Sequence, residues 1–522
     1  MVRYPVGQQD FKGIRDDGCV YIDKTDFITR LINEGKYYFL ARPRRFGKSL
    51  FLSTLKYFFL GERNLFEGLK IASSPWDWES YPVIHIDLNG VDYTKDENSL
   101  IDKLTQQLQN VEEKYEVSVN YTDIALRFEA LILQLHKLTG KPVVILVDEY
   151  EKPVLDTIDN PALSGRYLEI LRGFYSILKS LDNSLKFIFL TGITKFGKMS
   201  VFSALNNIRD ISFDNAYSSI CGITEDELIS NFQEGILDLA QVEETEFKGA
   251  LKLLKLNYDG YHFSDECPDI YNPYSLLTAF VSRKIGAYWS KTGTPTILAK
   301  LLLEKHYDLE NLNGVRATQD DLMDIGNLID NPVALFYQTG YLTIKNYNKL
   351  LKAYTLGFPN REVEVAFCKF ITPYYLSAHS KGVESYILDF AEGILTGDPY
   401  QAMKALESFS SSINYEIAPT PEVERHFQLM IYMFSRLILP YASTVKTEER
   451  TSDGRIDLLI TTTDYVYIFE FKRDSSPAIA IKQIEEKEYW KPYITSRKKI
   501  FLIGINFSTP EKRIDGYLIK EI

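Results

Sequence analysis

The chain has 522 residues, 45% of them hydrophobic, 13% aromatic and 25% charged, with a formal net charge of −12. That length exceeds a single hydrophobic core and predicts two to four domains, while the generous aromatic content excludes a disordered chain. The acidic balance argues against nucleic-acid binding over a broad basic surface, so any nucleic acid must meet a local basic patch.

Taken in chain order, Tyr37-Tyr38-Phe39-Leu40-Ala41 reads as an apolar strand and Arg42-Pro43-Arg44-Arg45-Phe46-Gly47 as a tight basic turn. Lys48-Ser49 then opens an amphipathic helix through Phe59. Strand, turn and helix in that order make a phosphate-binding loop. Backbone N–H groups and the helix N-terminus face the anion, Lys48 reaches its phosphates, and the Ser49 hydroxyl suits Mg²⁺. The full pattern begins with glycine, and here Arg42 stands in its place.

Tyr81-Pro82-Val83-Ile84-His85-Ile86-Asp87-Leu88 is a second strand, followed by helical periodicity over Leu100–Val111 and Ile124–Leu138. Lys141-Pro142-Val143-Val144-Ile145-Leu146-Val147-Asp148-Glu149 is an unbroken apolar run ending in two carboxylates. Such a run implies a strand buried on both faces of a parallel sheet. Ligands gather at the carboxyl ends of those strands. Asp148 is there the Mg²⁺ holder, and Glu149 the residue that orients or deprotonates an attacking water. A helix over Tyr167–Leu181 leads into the strand Leu185–Thr191, which ends in the hydroxyl of Thr191, with Thr194 close behind. Helices over Glu225–Phe232, Glu244–Leu256 and Tyr274–Val281 follow. Helices are also expected near Ile297–Leu303 and Gln319–Ile325, then β-prone runs at Gly340–Ile344 and Leu351–Leu356 around a turn at Lys345–Lys349.

Arg42–Ser49 resembles the glycine-lacking phosphate loop of the bacterial AAA-ATPase-like proteins, which commonly carry a C-terminal PD-(D/E)XK nuclease-superfamily domain. Phe11-Lys12-Gly13-Ile14-Arg15, Tyr21-Ile22-Asp23-Lys24-Thr25, Phe202-Ser203-Ala204-Leu205-Asn206-Asn207 and Tyr271-Asn272-Pro273-Tyr274-Ser275 are similar to motifs of the same family. The resemblance implies an α/β fold throughout. It expects a P-loop domain of the AAA/RecA branch with a helical tail at 1–283 and a lid or winged-helix-like region at 284–380. A PD-(D/E)XK domain is expected at 381–522. It also implies ATP as the nucleotide, held by Arg45, Phe46, Gly47, Lys48, Ser49, Asp148 and Thr191, with Ser49 and Asp148 on the metal. The sequence singles out no arginine finger, Arg209 being only a guess, and a homo-oligomer is left open.

Near the C-terminus, Gly454-Arg455-Ile456-Asp457-Leu458-Leu459-Ile460 is a strand. Tyr465-Val466-Tyr467-Ile468-Phe469-Glu470-Phe471-Lys472 follows as its neighbour. Strand period places Glu470 and Lys472 on one face and Tyr467, Phe469 and Phe471 on the other. Unpaired charges at such a position are costly to bury, which points to a function. An Asp followed by Glu-x-Lys on the adjacent strand resembles the PD-(D/E)XK signature. The resemblance makes Asp457 and Glu470 the ligands of Mg²⁺, or of Mn²⁺, and Lys472 the residue that orients or activates the hydrolytic water. Glu424 and Gln483 match two flanking positions of that pattern.

The expected function is an ATPase coupled to a metal-dependent nuclease acting on nucleic acid, DNA being the expected class. The alternative is a nucleotide-switched DNA-binding or regulatory protein whose nuclease-like domain binds without cleaving. Cys19, Cys221, Cys267 and Cys368 are widely spaced and read as unpaired thiols in a reducing compartment. No apolar run approaches membrane-spanning length, so the expectation is a cytoplasmic protein without a membrane partner.

Overall fold

A computed structural model describes residues 2–194, 207–289, 312–323, 332–375, 383–412, 420–442, 444–450 and 454–522. One unit is built from Met1–Gly293 with Leu312–Glu362, and a second holds Val363–Ile522. Residues 202–206 of the family-like motif and the helix expected at 297–303 lie outside the described residues.

In the first unit, β1 (Tyr37–Ala41), β2 (Val83–Asp87), β3 (Val143–Asp148), β4 (Leu185–Gly192) and β5 (Arg209–Asp210) form a parallel sheet in the order β2-β3-β4-β1-β5. All six residues of β3 are buried, as its unbroken apolar run requires. The helix Asn98–Tyr115 supplies a buried stripe of Leu100, Leu104, Leu108 and Val111. The Ile124–Thr139 helix is started by Asp123, which accepts from the N–H groups of Ala125 and Leu126, and stopped by Gly140 at φ 67°. In chain order β2 separates β1 from β3. In space, β2 goes to the sheet edge, and β4 is the strand between β1 and β3. Thr191 therefore ends a strand flanked on both sides by the two motif strands.

The helical tail packs around Leu228, Ile236, Leu239, Leu254, Tyr258, Leu276 and Phe280. Its first helix, Glu225–Asn231, begins with a capping box between Thr224 and Glu227. Further along, β6 (Arg316–Thr318), β7 (Thr343–Asn348) and β8 (Ala353–Gly357) form a sheet in the order β6-β8-β7. The hairpin differs from the expected register. Gly340 at φ 90° closes the Pro332–Thr339 helix, and Tyr341 donates its N–H back to Phe336 O, so Gly340–Leu342 belong to a helix cap. The strand begins at Thr343 instead, Tyr347 meets Tyr354 at 4.8 Å between ring centroids, and the turn moves to Lys349–Lys352.

In the second unit, β9 (Thr444–Arg450), β10 (Arg455–Thr461), β11 (Tyr465–Arg473), β12 (Lys499–Ser508) and β13 (Arg513–Glu521) form a mixed sheet ordered β13-β12-β11-β10-β9. Only β11 and β12 run parallel, joined by a crossover containing the helix Pro477–Glu486. Gly504 of β12 lets that helix approach, because a Cβ there would meet Pro477 O at 2.4 Å. Ile456, Leu459, Val466, Ile468, Ile481, Ile484 and Leu502 fill the core beneath it. No helix among the described residues is long and apolar enough to cross a membrane.

Candidate functional site

The loop after β1 carries two left-handed residues, Arg45 at φ 68° and Gly47 at φ 92°. Gly47 precedes the first turn of the Lys48–Phe59 helix, where the positive φ itself calls for glycine. Arg42, which replaces the usual first glycine, points inward. Its Nη1 donates to Ala41 O and Ser212 O at 2.8 Å each, its Nη2 to Tyr217 O at 3.2 Å, and its guanidinium lies 4.3 Å from the Phe263 ring centroid. The loop is thereby bolted to the segment after β5 by a cation that takes no direct part in the cavity. The Phe46 ring is likewise buried, edge-on to Tyr261 at 4.7 Å and Phe263 at 5.4 Å.

Lys48 is 4% exposed, and its Nζ donates to the carbonyls of Arg42 at 3.0 Å and Pro43 at 3.3 Å, with Glu149 Oε1 3.5 Å away. Ser49 Oγ donates to Asp148 Oδ2 at 2.5 Å, and Thr191 Oγ1 to Asp148 Oδ1 at 2.6 Å. Burial, then the charge of Glu149, pushes the Asp148 carboxyl above its usual range, while Ser49, Thr191 and Lys48 pull it down. Glu149 holds left-handed backbone at φ 52°, an uncommon conformation for a residue with a side chain and one that clusters at functional turns. Thr191, not Thr194, meets Asp148. Thr194 turns its N–H to Glu151 at 2.9 Å.

Lys48, Ser49 and Glu149 border a cavity of about 470 Å³ at the carboxyl ends of β1 and β3, with Asp148 joined to it through its bond to Ser49. Gln8, Gln9, Asn89 and Tyr274 also line it, and the Arg45 guanidinium sits 4.6 Å from the Tyr274 ring centroid. Tyr274 follows Pro273 at the start of the Pro273–Ser282 helix, whose cap Asn272 accepts from Ser275 N–H at 3.0 Å. Gln8 and Gln9 escaped the sequence reading because no pattern links residues at the chain start to a loop forty residues on. Arg209 is held by Glu34 and Asp214 at 2.7 Å each.

Glu151 was also missed, although it is the third carboxylate in Asp148-Glu149-Tyr150-Glu151. It is fully buried, and its Oε1 accepts from the N–H groups of Ile193 and Thr194. Burial, then the charge of Glu149, pushes it up to about 8. A glutamate whose folded pKa is raised binds its proton more tightly folded than unfolded, so stability falls as pH rises from the usual range near 4.5 to about 8. Glu151→Gln removes that dependence. Thermal melts of the nucleotide-free protein should show the variant's advantage over wild type growing between pH 5 and pH 8 and flat above. A constant difference across that window would contradict a protonated Glu151.

In the second unit, β10 and β11 pair with Leu458 opposite Phe469. Extending that antiparallel register by one residue sets Asp457 across from Glu470, on the same face. Asp457 Oδ2 accepts from Phe471 N–H at 2.8 Å, and burial pushes its carboxyl up against the pull of that bond, Lys472 and Arg455. Glu470 is 2% exposed, and its Oε1 accepts from Lys472 Nζ at 2.8 Å and from Gln483 Nε2. Four of the expected residues therefore converge. Glu424 falls on the Thr420–Leu437 helix, and its side chain is outside the described residues. Among the described residues no three His, Cys, Asp or Glu side chains gather as a ready metal cage. Two carboxylates nevertheless suit Mg²⁺, which keeps several waters and takes only one or two. At the far end of the β11–β12 pair, where Lys499 lies opposite Tyr465, Lys499 pairs with Glu521 at 2.8 Å and Lys498 donates to Thr462 O at 2.5 Å.

A glycine-lacking phosphate loop on a β2-β3-β4-β1-β5 sheet defines a P-loop ATPase-type domain, and the Asp and Glu-x-Lys hairpin a nuclease-type one. Residues 5–202 match the family described as a predicted AAA-ATPase, AAA-ATPase-like, and residues 422–516 match the PD-(D/E)XK nuclease superfamily. A protein of Azotobacter chroococcum mcd 1, described as "Uncharacterized protein in vnfD 5'region", is 34% identical over 528 residues, spanning 100% of this chain and 99% of that protein. The chain belongs to the AAA-ATPase-like family and carries a PD-(D/E)XK nuclease-superfamily domain near its C-terminus.

Proposed function

We propose that the first unit binds and hydrolyses ATP with Mg²⁺, and that the second cleaves nucleic acid, DNA foremost, with Mg²⁺ or Mn²⁺. The observation that carries the first half is the convergence of Lys48, Ser49 and Glu149, from one helix and one strand end, on one cavity, with Asp148 hydrogen-bonded to Ser49 and to Thr191 of the next strand. Lys48 is preset by two loop carbonyls, so its ammonium can turn to a phosphate without first being desolvated. Ser49 and Asp148 are the pair that would hold Mg²⁺, which when bound neutralises charge on the phosphate oxygens. Glu149 takes the proton of the attacking water, and Thr191 holds the Asp148 carboxyl in place.

In the second unit Asp457 and Glu470 would hold the metal, whose charge offsets that of the phosphodiester. Lys472 shares their face and orients the water, while Gln483 fixes the Glu470 carboxyl.

Lys48→Ala tests the nucleotide half. Losing a charge-assisted contact to phosphate should weaken ATP binding at least about tenfold, roughly 1.4 kcal/mol. Unchanged affinity by calorimetry would remove the assignment.

A further inference from the structure

The short helix Lys152–Asp156 follows β3 and brings to the nucleotide cavity a cation that no role above uses. Among the described residues lining that cavity, the positive charges are Arg44, Arg45, Lys48 and Lys152. The first three belong to the phosphate loop and the helix it opens. Lys152 comes instead from the bend that carries Glu149, and its N–H donates to Glu149 O at 3.0 Å. Its neighbours on both sides are fixed. Glu151 is buried with its carboxylate on the N–H groups of Ile193 and Thr194, and Pro153 is buried in the first turn. The Lys152 side chain between them stays 23% exposed and lines the cavity.

Its Nζ is held by Asp156, at 2.8 Å from Oδ2 and 3.1 Å from Oδ1. A lysine and an aspartate four residues apart on a helix commonly do no more than steady it. Here both members of the pair line the cavity, just beyond the carboxylate that takes the proton of the attacking water. We propose that Lys152 is a catalytic residue of ATP hydrolysis, placing a positive charge from the chain's own Glu149 bend against the terminal phosphate. The inference rests on the ATPase reading given above.

In the step, the water oxygen bonds to the terminal phosphorus and its proton passes to Glu149. The bond from that phosphorus to the bridging oxygen breaks, and the electron pair stays on the departing diphosphate. Negative charge is spread over the outer oxygens of the transferring group, and a cation fixed beside them lowers the barrier. Lys48 enters from the phosphate loop and Lys152 from the bend that holds the water, and Lys152 exchanges no proton. Before nucleotide arrives, Asp156 holds the ammonium. A terminal phosphate carries more negative charge than one carboxylate and draws it across. Asp87, the remaining acid among the described lining residues, is engaged by Asn89, whose N–H and Nδ2 donate to its Oδ1 at 2.9 and 2.8 Å.

The test is phosphate release by the full chain, with ATP affinity measured on the same preparations by calorimetry. Lys152→Ala should lose turnover on the order of a hundredfold while its ATP affinity stays within about threefold of wild type. Lys152→Arg keeps the charge and should recover most of that loss. Asp156→Asn breaks the ion pair but keeps the ammonium, so it should hydrolyse ATP near the wild-type rate. A mixture of Lys152→Ala with Glu149→Gln should stay inactive, because both residues serve the cavity of their own chain. Lys152→Ala at the wild-type rate beside an active wild type overturns this assignment alone. Equal losses in Lys152→Ala and Asp156→Asn also overturn it, by marking the pair as a structural brace, and so does recovery of turnover in the mixture. A wild type that releases no phosphate overturns the ATPase reading and this inference with it.

Discussion

Glu149→Gln should leave ATP bound and cut its turnover by on the order of a hundredfold. The substitution keeps the side chain's shape and removes its capacity to take a proton. Binding is spared for a specific reason. Glu149 Oε1 sits 3.5 Å from Lys48 Nζ, so the carboxylate competes with phosphate for that ammonium. Neutralising it frees Lys48, and ATP affinity should stay level or improve. The measurement pairs calorimetry with phosphate release on the same preparation. Turnover at the wild-type rate would show that Glu149 is not the base and would favour the nucleotide-switch reading.

Asp457→Ala should reduce nucleic-acid cleavage to background, a loss on the order of a hundredfold or more, since one of the two carboxylates proposed to hold the metal is gone. Asp457 also accepts from Phe471 N–H at 2.8 Å, so the alanine variant loses a hydrogen bond worth about 1 kcal/mol as well. Asp457→Asn separates the two effects. Its amide oxygen can keep the Phe471 bond while the charge is lost, so it should melt like wild type and still fail to cut. The assay uses plasmid, linear and single-stranded DNA, each with metal and with EDTA. Equal cleavage by wild type and both variants would place the activity in another site or a contaminant. If wild type cuts nothing with ATP present, the domain is a binding fold.

Legibility in the sequence followed the range of the interaction. The two motif strands were readable because Tyr37–Leu40 and Val143–Val147 are unbroken apolar runs, and a strand buried on both faces has to be one. Glu470 and Lys472 were readable because strand period alone settles which side chains of one strand share a face, whereas the place of Asp457 depends on the pairing of β10 with β11. Thr191 could be placed at a strand end, but its hydrogen bond to Asp148 depends on β4 lying beside β3. That adjacency is set by the crossover path rather than by any local pattern. The inward turn of Arg42 needs carbonyl acceptors 170 and 175 residues away. Buried Glu151 was legible only as one more acidic residue in an acidic turn. The slipped hairpin at Thr343–Gly357 shows a local competition. Tyr341 and Leu342 have high strand preference, and the C-cap at Gly340 claimed them first.

The measurement that bears most directly on the account is phosphate release by the purified full chain with ATP and Mg²⁺, with and without duplex DNA. The account predicts release that EDTA abolishes, that Glu149→Gln lacks, and that DNA increases. ATP binding without release in any of these conditions would contradict it.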